Sequence, residues 1–91
     1  MVETNVIRVR YWAAAKAAAG TDSDDVPVNG SISLADLRRA AAGLHPGTRL
    51  AEVLAACSTL VGDQPVGRAD PTTFLVDPGA EVEFLPPFAG G

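Results

Sequence analysis

The sequence predicts an α+β domain in which helices cover one side of a mixed sheet, and three segments carry that prediction. Residues 6–12 alternate, with Ile7, Val9 and Tyr11 on one side and Arg8 and Arg10 on the other, the two-residue period of a half-buried strand. Ser33 followed by Leu34, Leu37, Ala41 and Leu44 is a capped helix with one apolar stripe. Residues 81–85 alternate again, Val82 and Phe84 against Glu81, Glu83 and Leu85. A stripe-bearing helix between alternating strands calls for helix-on-sheet layering, because each apolar face needs the other to cover it.

Taken in order, the first strand is followed by Ala13–Ala19, nearly pure alanine and stopped by Gly20, which reads as a short helix with a C′ glycine. Thr21–Asp25 is polar and acidic and reads as a loop, and Val26 and Val28 around Pro27 read as a short edge strand. At the main helix, Ile32 and Leu37 form a hydrophobic staple around the Ser33 cap, and Asp36 lies in the first turn, where the helix dipole favours an anion. Arg38 and Arg39 are expected opposite the stripe, and the helix is expected to end between Gly43 and Pro46. Residues 48–56 suit a helix through Leu50, Val53 and Leu54, or a strand continuing into Leu60 and Val61, and both stay open. Leu60-Val61, Gly62-Asp63 and Pro65-Val66 read as two short strands joined by a tight turn. Asp77-Pro78-Gly79-Ala80 has the proline at i+1 and glycine at i+2 of a type II turn, which starts the last strand.

Ninety-one residues support one domain with a thin core: 47% of the chain is apolar, but sixteen of those residues are alanine. Seven basic against eleven acidic side chains leave a net charge of −4, so no nucleic-acid partner is expected. One cysteine cannot form an internal disulfide or hold a metal alone, which points to a reducing, cytoplasmic setting. No run approaches a membrane span and the start lacks the apolar core of a signal peptide, so neither membrane nor export is expected. Asp22, Asp24 and Asp25 lack the glycine and distant glutamate of a calcium loop, and no metal site is expected. Cys57 sits in an apolar run as an inert thiol, His45 lies at a helix C-terminus without a nameable partner, and Trp12 and Tyr11 read as core and core edge.

The feature that points to function is the closing segment Phe84-Leu85-Pro86-Pro87-Phe88-Ala89-Gly90-Gly91, eight residues without a charge. Pro86 and Pro87 fix φ and remove two donors, so the ladder is expected to stop at Leu85 and the tail to project. That divides the chain into a domain, residues 1–85, and a tail, residues 86–91. An extended tail beyond Pro87 spans about 13–14 Å, enough to enter a partner's pocket. Gly90 and Gly91 lack a Cβ and suit threading through a constriction. The reactive group expected on such a tail is the Gly91 carboxylate. A carboxylate is a poor acyl donor, so it needs conversion to a mixed anhydride with AMP before sulfur or an amine can displace the nucleotide.

Val6-Ile7-Arg8-Val9-Arg10-Tyr11-Trp12 with its alanine-rich helix, the Ser33-Leu34-Ala35-Asp36-Leu37 helix opening, and Asp77 to Gly91 together resemble the small subunit of molybdopterin synthase, one of the ubiquitin-like sulfur carriers. The resemblance spans nearly the whole chain. Its most specific part is the turn, strand, Pro-Pro and Gly-Gly ending, while residues 45–73 depart most from the common pattern. It implies a ubiquitin-like β-grasp fold with a mixed four- to five-stranded sheet. It further implies a sulfur carrier rather than an enzyme in its own right, with no cofactor of its own. A ubiquitin-activating-type adenylyltransferase would use ATP to adenylate Gly91, and a persulfide donor would convert it to a thiocarboxylate. The tail, Pro86, Pro87, Phe88, Ala89 and Gly90, would then enter the large subunit of a heterotetrameric synthase, where the sulfur attacks cyclic pyranopterin monophosphate. Leu85 and Phe88 are the candidate docking side chains, with ordinary edge packing the competing reading for Leu85. Carriers for thiazole or cysteine synthesis also end in Gly-Gly, and lysine conjugation or a β-grasp interaction module with an idle tail remain alternatives.

Overall fold

The first and last strands lie side by side at the middle of the sheet in the computed structural model, which describes residues 5–87. Strand β1 (Val6–Tyr11) pairs in parallel with β7 (Glu81–Leu85), in the register Val9 to Val82 and Tyr11 to Phe84. Parallel neighbours require a long crossover, and here everything between them forms it. Strand β2 (Ser23–Pro27) adds to the free side of β1, and β4 (Ser58–Val61) with β5 (Gln64–Pro65) to the free side of β7, all antiparallel. The order β2-β1-β7-β4-β5 is the mixed five-stranded sheet of a ubiquitin-like β-grasp.

Helices α1 (Ala14–Ala19), α2 (Leu34–Gly43) and α3 (Leu50–Ala56) share one core with the inward residues of the sheet. Ile7, Val9, Val82 and Phe84 from the strands and Leu34, Leu37, Leu50 and Leu54 from the helices are fully buried in it. Arg8, Arg10, Glu81 and Glu83 occupy the alternate strand positions, where Arg8 pairs with Asp25 at 3.1 Å and Arg10 with Glu81 at 3.8 Å. The helix termini follow their sequence signals. Ser33 Oγ accepts the Asp36 amide at 3.1 Å, and Gly20 closes α1 with φ +74°. Gly79 takes φ +89° in the turn before β7, with the Ala80 amide donating to the Asp77 carbonyl at 3.1 Å.

The structure changes, settles or adds to the sequence reading at five places. Residues 23–25 are strand, not loop, because β1 offers an unpaired edge with matching side chains: Arg8 for Asp25, and the Tyr11 hydroxyl for Asp24. Residues 50–56 settle as α3, which buries Leu50 and Leu54 four positions apart. Leu44 is 47% exposed, because α2 ends at Gly43 and the turn carries the next side chain off the stripe. Arg38 is half-buried, not on the solvent side; four residues from Leu34 it sits only about 40° around the helix, beside the stripe. A second, two-stranded sheet pairs β3 (Ile32–Ser33) with β6 (Leu75–Val76), and its Val76 joins the core although the sequence gave no strand period there.

Candidate functional site

The central strand β7 delivers the chain to the site. At its last residue, Leu85 pairs with Ser58 on the β4 side, while on the β1 side the Trp12 amide donates to the Phe84 carbonyl at 3.1 Å. The exit is therefore held from both flanks by backbone hydrogen bonds, and Phe84, fully buried, anchors it from below. Pro86 and Pro87 follow outside any ladder and are exposed. A proline has no N–H to continue the pairing with β4, so the sheet stops where the sequence places the double proline. Phe88, Ala89, Gly90 and Gly91, the expected threading and acyl-bearing residues, lie outside the described residues.

Trp12 belongs to this exit and was misplaced by sequence reasoning. It is 41% exposed, its Nε1–H donates to Glu83 Oε1 at 3.1 Å, and the Arg10 guanidinium lies 5.4 Å from its ring centre. The alternation of β1 contains the signal: Tyr11 points inward, so the next residue points to the outer face. Tyr11 itself is buried as expected. Leu85 is half-buried beside the exit and lines a cavity of about 260 Å³ at its base.

That cavity opens between α2, the α3–β4 junction and residues 65–69. Arg38, Cys57 and Thr59 contribute its polar lining, and Leu60, Val66 and Leu85 contribute apolar walls. Burial pushes the Cys57 thiol above its ordinary range, with the Arg38 charge opposing more weakly, so the sulfur stays protonated and unreactive near neutral pH. Arg38 Nε and Thr59 Oγ1 are buried without any hydrogen-bond partner among the described residues. An orphaned buried polar group costs about 1–3 kcal/mol.

The other titratable side chains are structural. Asp24 Oδ2 accepts the Tyr11 hydroxyl at 2.8 Å and lies 2.5 Å from His45 Nε2, so His45 finds a partner 21 residues away that sequence did not reveal. Burial first, then the Asp24 carboxylate, pushes the Tyr11 phenol far above its ordinary range. Asp22 faces Lys16 at 2.8 Å, whose ammonium holds the carboxyl below its usual range, and Asp25 faces Arg8. The three aspartates thus serve three different partners, and no metal-ligating cluster occurs among the described residues. No helix among them is long and apolar enough to cross a membrane.

Solved structures from several organisms share this shape. The small archaeal modifier protein 1 of Haloferax volcanii superposes with a TM-score of 0.73 at 22% identity, over 94% of this chain and 99% of that one. Urm1 of Trypanosoma brucei gives 0.68 at 15% identity over 100% of both chains. A Pyrococcus furiosus protein provisionally named molybdopterin converting factor, subunit 1, gives 0.66 at 17% identity over 91% of this chain and 98% of that one. At these identities the likeness shows the fold. The sequence match is broader in meaning: residues 9–91 fit the ThiS family, from the fourth position of the Arg-bearing strand β1 through the Gly-Gly ending. The chain therefore belongs to the ThiS family.

Proposed function

We propose that this chain is the sulfur-donating small subunit of molybdopterin synthase, a co-substrate that is not catalytic by itself. The observation that carries the reading is the central strand ending at a braced, exposed Pro86-Pro87 exit, with Gly90-Gly91 following in the sequence. Gly91 is the acyl-bearing residue. Its carboxylate attacks the α-phosphorus of ATP on an adenylyltransferase, releasing pyrophosphate and leaving an acyl-adenylate. The terminal sulfur of a persulfide then displaces AMP to give an acyl disulfide, and a thiol cleaves the S–S bond to leave a thiocarboxylate and a new disulfide. The tail from Pro86 to Gly90 carries that sulfur into the large subunit, where it attacks cyclic pyranopterin monophosphate. Leu85 and Phe88 dock the base of the tail. The domain from 1 to 85 is a mount, and the residues from 86 to 91 are the working part.

The test is the intact mass of the chain after incubation with an activating enzyme, ATP and a persulfide source. A sulfur-for-oxygen increment confined to the peptide ending in Gly91 is expected, with its loss on deleting Gly91. An unchanged mass, or full activity with Gly91 deleted, overturns the carrier reading. Pathway is then decided by whether the thiocarboxylated chain yields molybdopterin with a large synthase subunit.

A second reading is favoured by the family and by the two modifier-like neighbours, the small archaeal modifier and Urm1. The same acyl-adenylate would serve thiazole synthesis as a thiocarboxylate, or be captured by a lysine amine. Thiazole formation without molybdopterin formation, or isopeptide-linked Gly91 on cellular proteins, selects these outcomes.

A further inference from the structure

The cavity at the base of the tail is electrostatically unfinished. Among the described residues, five of the seven cationic side chains face a carboxylate: Arg8, Arg10, Lys16, Arg39 and Arg49. Arg38 and Arg68 face none. Arg38 lines the cavity, and Arg68 sits in the chain between two of its lining residues, Gly67 and Ala69. In a chain of net charge −4, one of the two cations without a carboxylate among the described residues, Arg38, thus lines this opening. No acidic side chain lines it, and the Cys57 thiol, held protonated by burial, adds no negative charge. Thr59, only 6% exposed, and Arg38 line the same wall, and the buried Thr59 hydroxyl and Arg38 Nε–H have no partner among the described residues.

Arginine supplies donors only, so the missing group must be an acceptor, and a carboxylate is the one that matches a guanidinium. The remaining walls, Leu60, Pro65, Val66 and Leu85, call for apolar atoms next to that carboxylate. At about 260 Å³ the cavity lies just below the range of small-molecule and cofactor sites, roughly 300–1,000 Å³. It is the size for one projecting side chain. Leu85 is both a cavity wall and the last residue before the exposed Pro-Pro exit, so a protein holding the tail lies over the opening.

We propose that this cavity is a docking socket for an acidic side chain, flanked by apolar residues, on the protein that receives the tail. This rests on the tail-carrier reading above. Engagement of Arg38 fixes the orientation of the domain as the tail enters, so Arg38 is a positioning residue. Its contribution is to binding, not to the acyl chemistry at Gly91.

The test is a titration of the isotopically labelled full chain, followed by amide and arginine side-chain NMR, with the capped tripeptide acetyl-Leu-Glu-Leu-amide. Acetyl-Leu-Gln-Leu-amide and sodium acetate serve as the matched probes. Saturable shifts at the Arg38 Nε–H and at the Thr59 and Gly67 amides are expected with the Glu peptide. Binding is expected to weaken about tenfold in Arg38→Gln, as for a lost charge-assisted hydrogen bond, and to persist in Arg39→Gln, the neighbouring cation paired with Asp36. Equal shifts with the Gln peptide, or no effect of Arg38→Gln, overturn the socket. Acetate binding as tightly as the Glu peptide also overturns protein docking and leaves a small-anion site. In the adenylation assay, Arg38→Gln is expected to raise KM for the chain about tenfold with kcat unchanged. A fall in kcat alone overturns the positioning role. If the unmodified chain is never adenylated, the carrier reading fails, whereas the peptide titration still decides the socket.

Discussion

The middle of the sheet and its β4–β5 end are built to different standards. Around β1 and β7 each side chain has a settled place: Ile7, Val9, Val82 and Phe84 are fully buried, the outer arginines meet carboxylates, and Tyr11, Asp24 and His45 satisfy one another. At the other end a cavity remains open, and among the described residues Arg38 Nε and the buried Thr59 hydroxyl find no partner. The tail leaves from the seam between these regions. The difference teaches a division of labour: the finished half holds the exit strand, and under the docking proposed above the unfinished half is completed by the protein that takes the tail.

The largest expected effect lies in the finished half. Phe84→Ala empties the centre of the core beneath the exit and is expected to destabilise the chain by about 3–5 kcal/mol, read by denaturant unfolding. For a small domain holding about 5–15 kcal/mol in total, that leaves little. Tyr11→Phe removes a hydrogen bond to a carboxylate and is expected to lose about 1.5–3 kcal/mol near neutral pH. The Tyr11 phenol also gives a pH signature with a definite sign. Its folded pKa lies above its unfolded value of about 10, so above that pH the unfolded state releases the proton first and stability falls as pH rises. Alkaline unfolding curves should show this decline in the unmodified chain and lose it in Tyr11→Phe.

The unfinished half should respond in the opposite direction. Thr59→Val deletes an orphaned hydroxyl and is expected to stabilise the isolated chain by about 1–2 kcal/mol; destabilisation would mean the hydroxyl has a partner and would weaken the contrast. Smallest of the four, Ser33→Ala removes the α2 cap and should cost about 1 kcal/mol, seen as a shift of the thermal midpoint.

Local signals carried much of the architecture. The alternation of residues 6–11 and 81–85, the Ser33 cap, the Gly20 stop and the Asp77-Pro78-Gly79 turn are each set by a few neighbouring residues, and each appears where expected. The double proline at 86–87 ends the ladder for the same local reason. What was misread depends on distant atoms. Asp24 and Asp25 have the composition of a loop, yet Arg8 and Tyr11 draw them into an edge strand. Trp12 was read as core, although its position in the alternation already pointed outward.

The candidate site divides the same way. The uncharged run from Phe84 to Gly91 was legible because it is contiguous, and a tail needs no tertiary structure to announce itself. The cavity beside it was not, since Arg38, Cys57, Thr59 and Leu85 come from α2, the α3–β4 junction, β4 and β7 and share no sequence pattern.

By itself, then, the sequence determined the strand periods, the caps, the turns and the tail, because these follow from φ restrictions, hydrogen-bond donors and side-chain alternation within a few residues. Only the tertiary structure decided that β1 and β7 lie in parallel at the centre, that His45 meets Asp24, and that Arg38 lines the cavity beside the exit with no carboxylate partner among the described residues. Those outcomes depend on which surfaces meet across the long crossover between the first and last strands, and no local preference encodes that meeting.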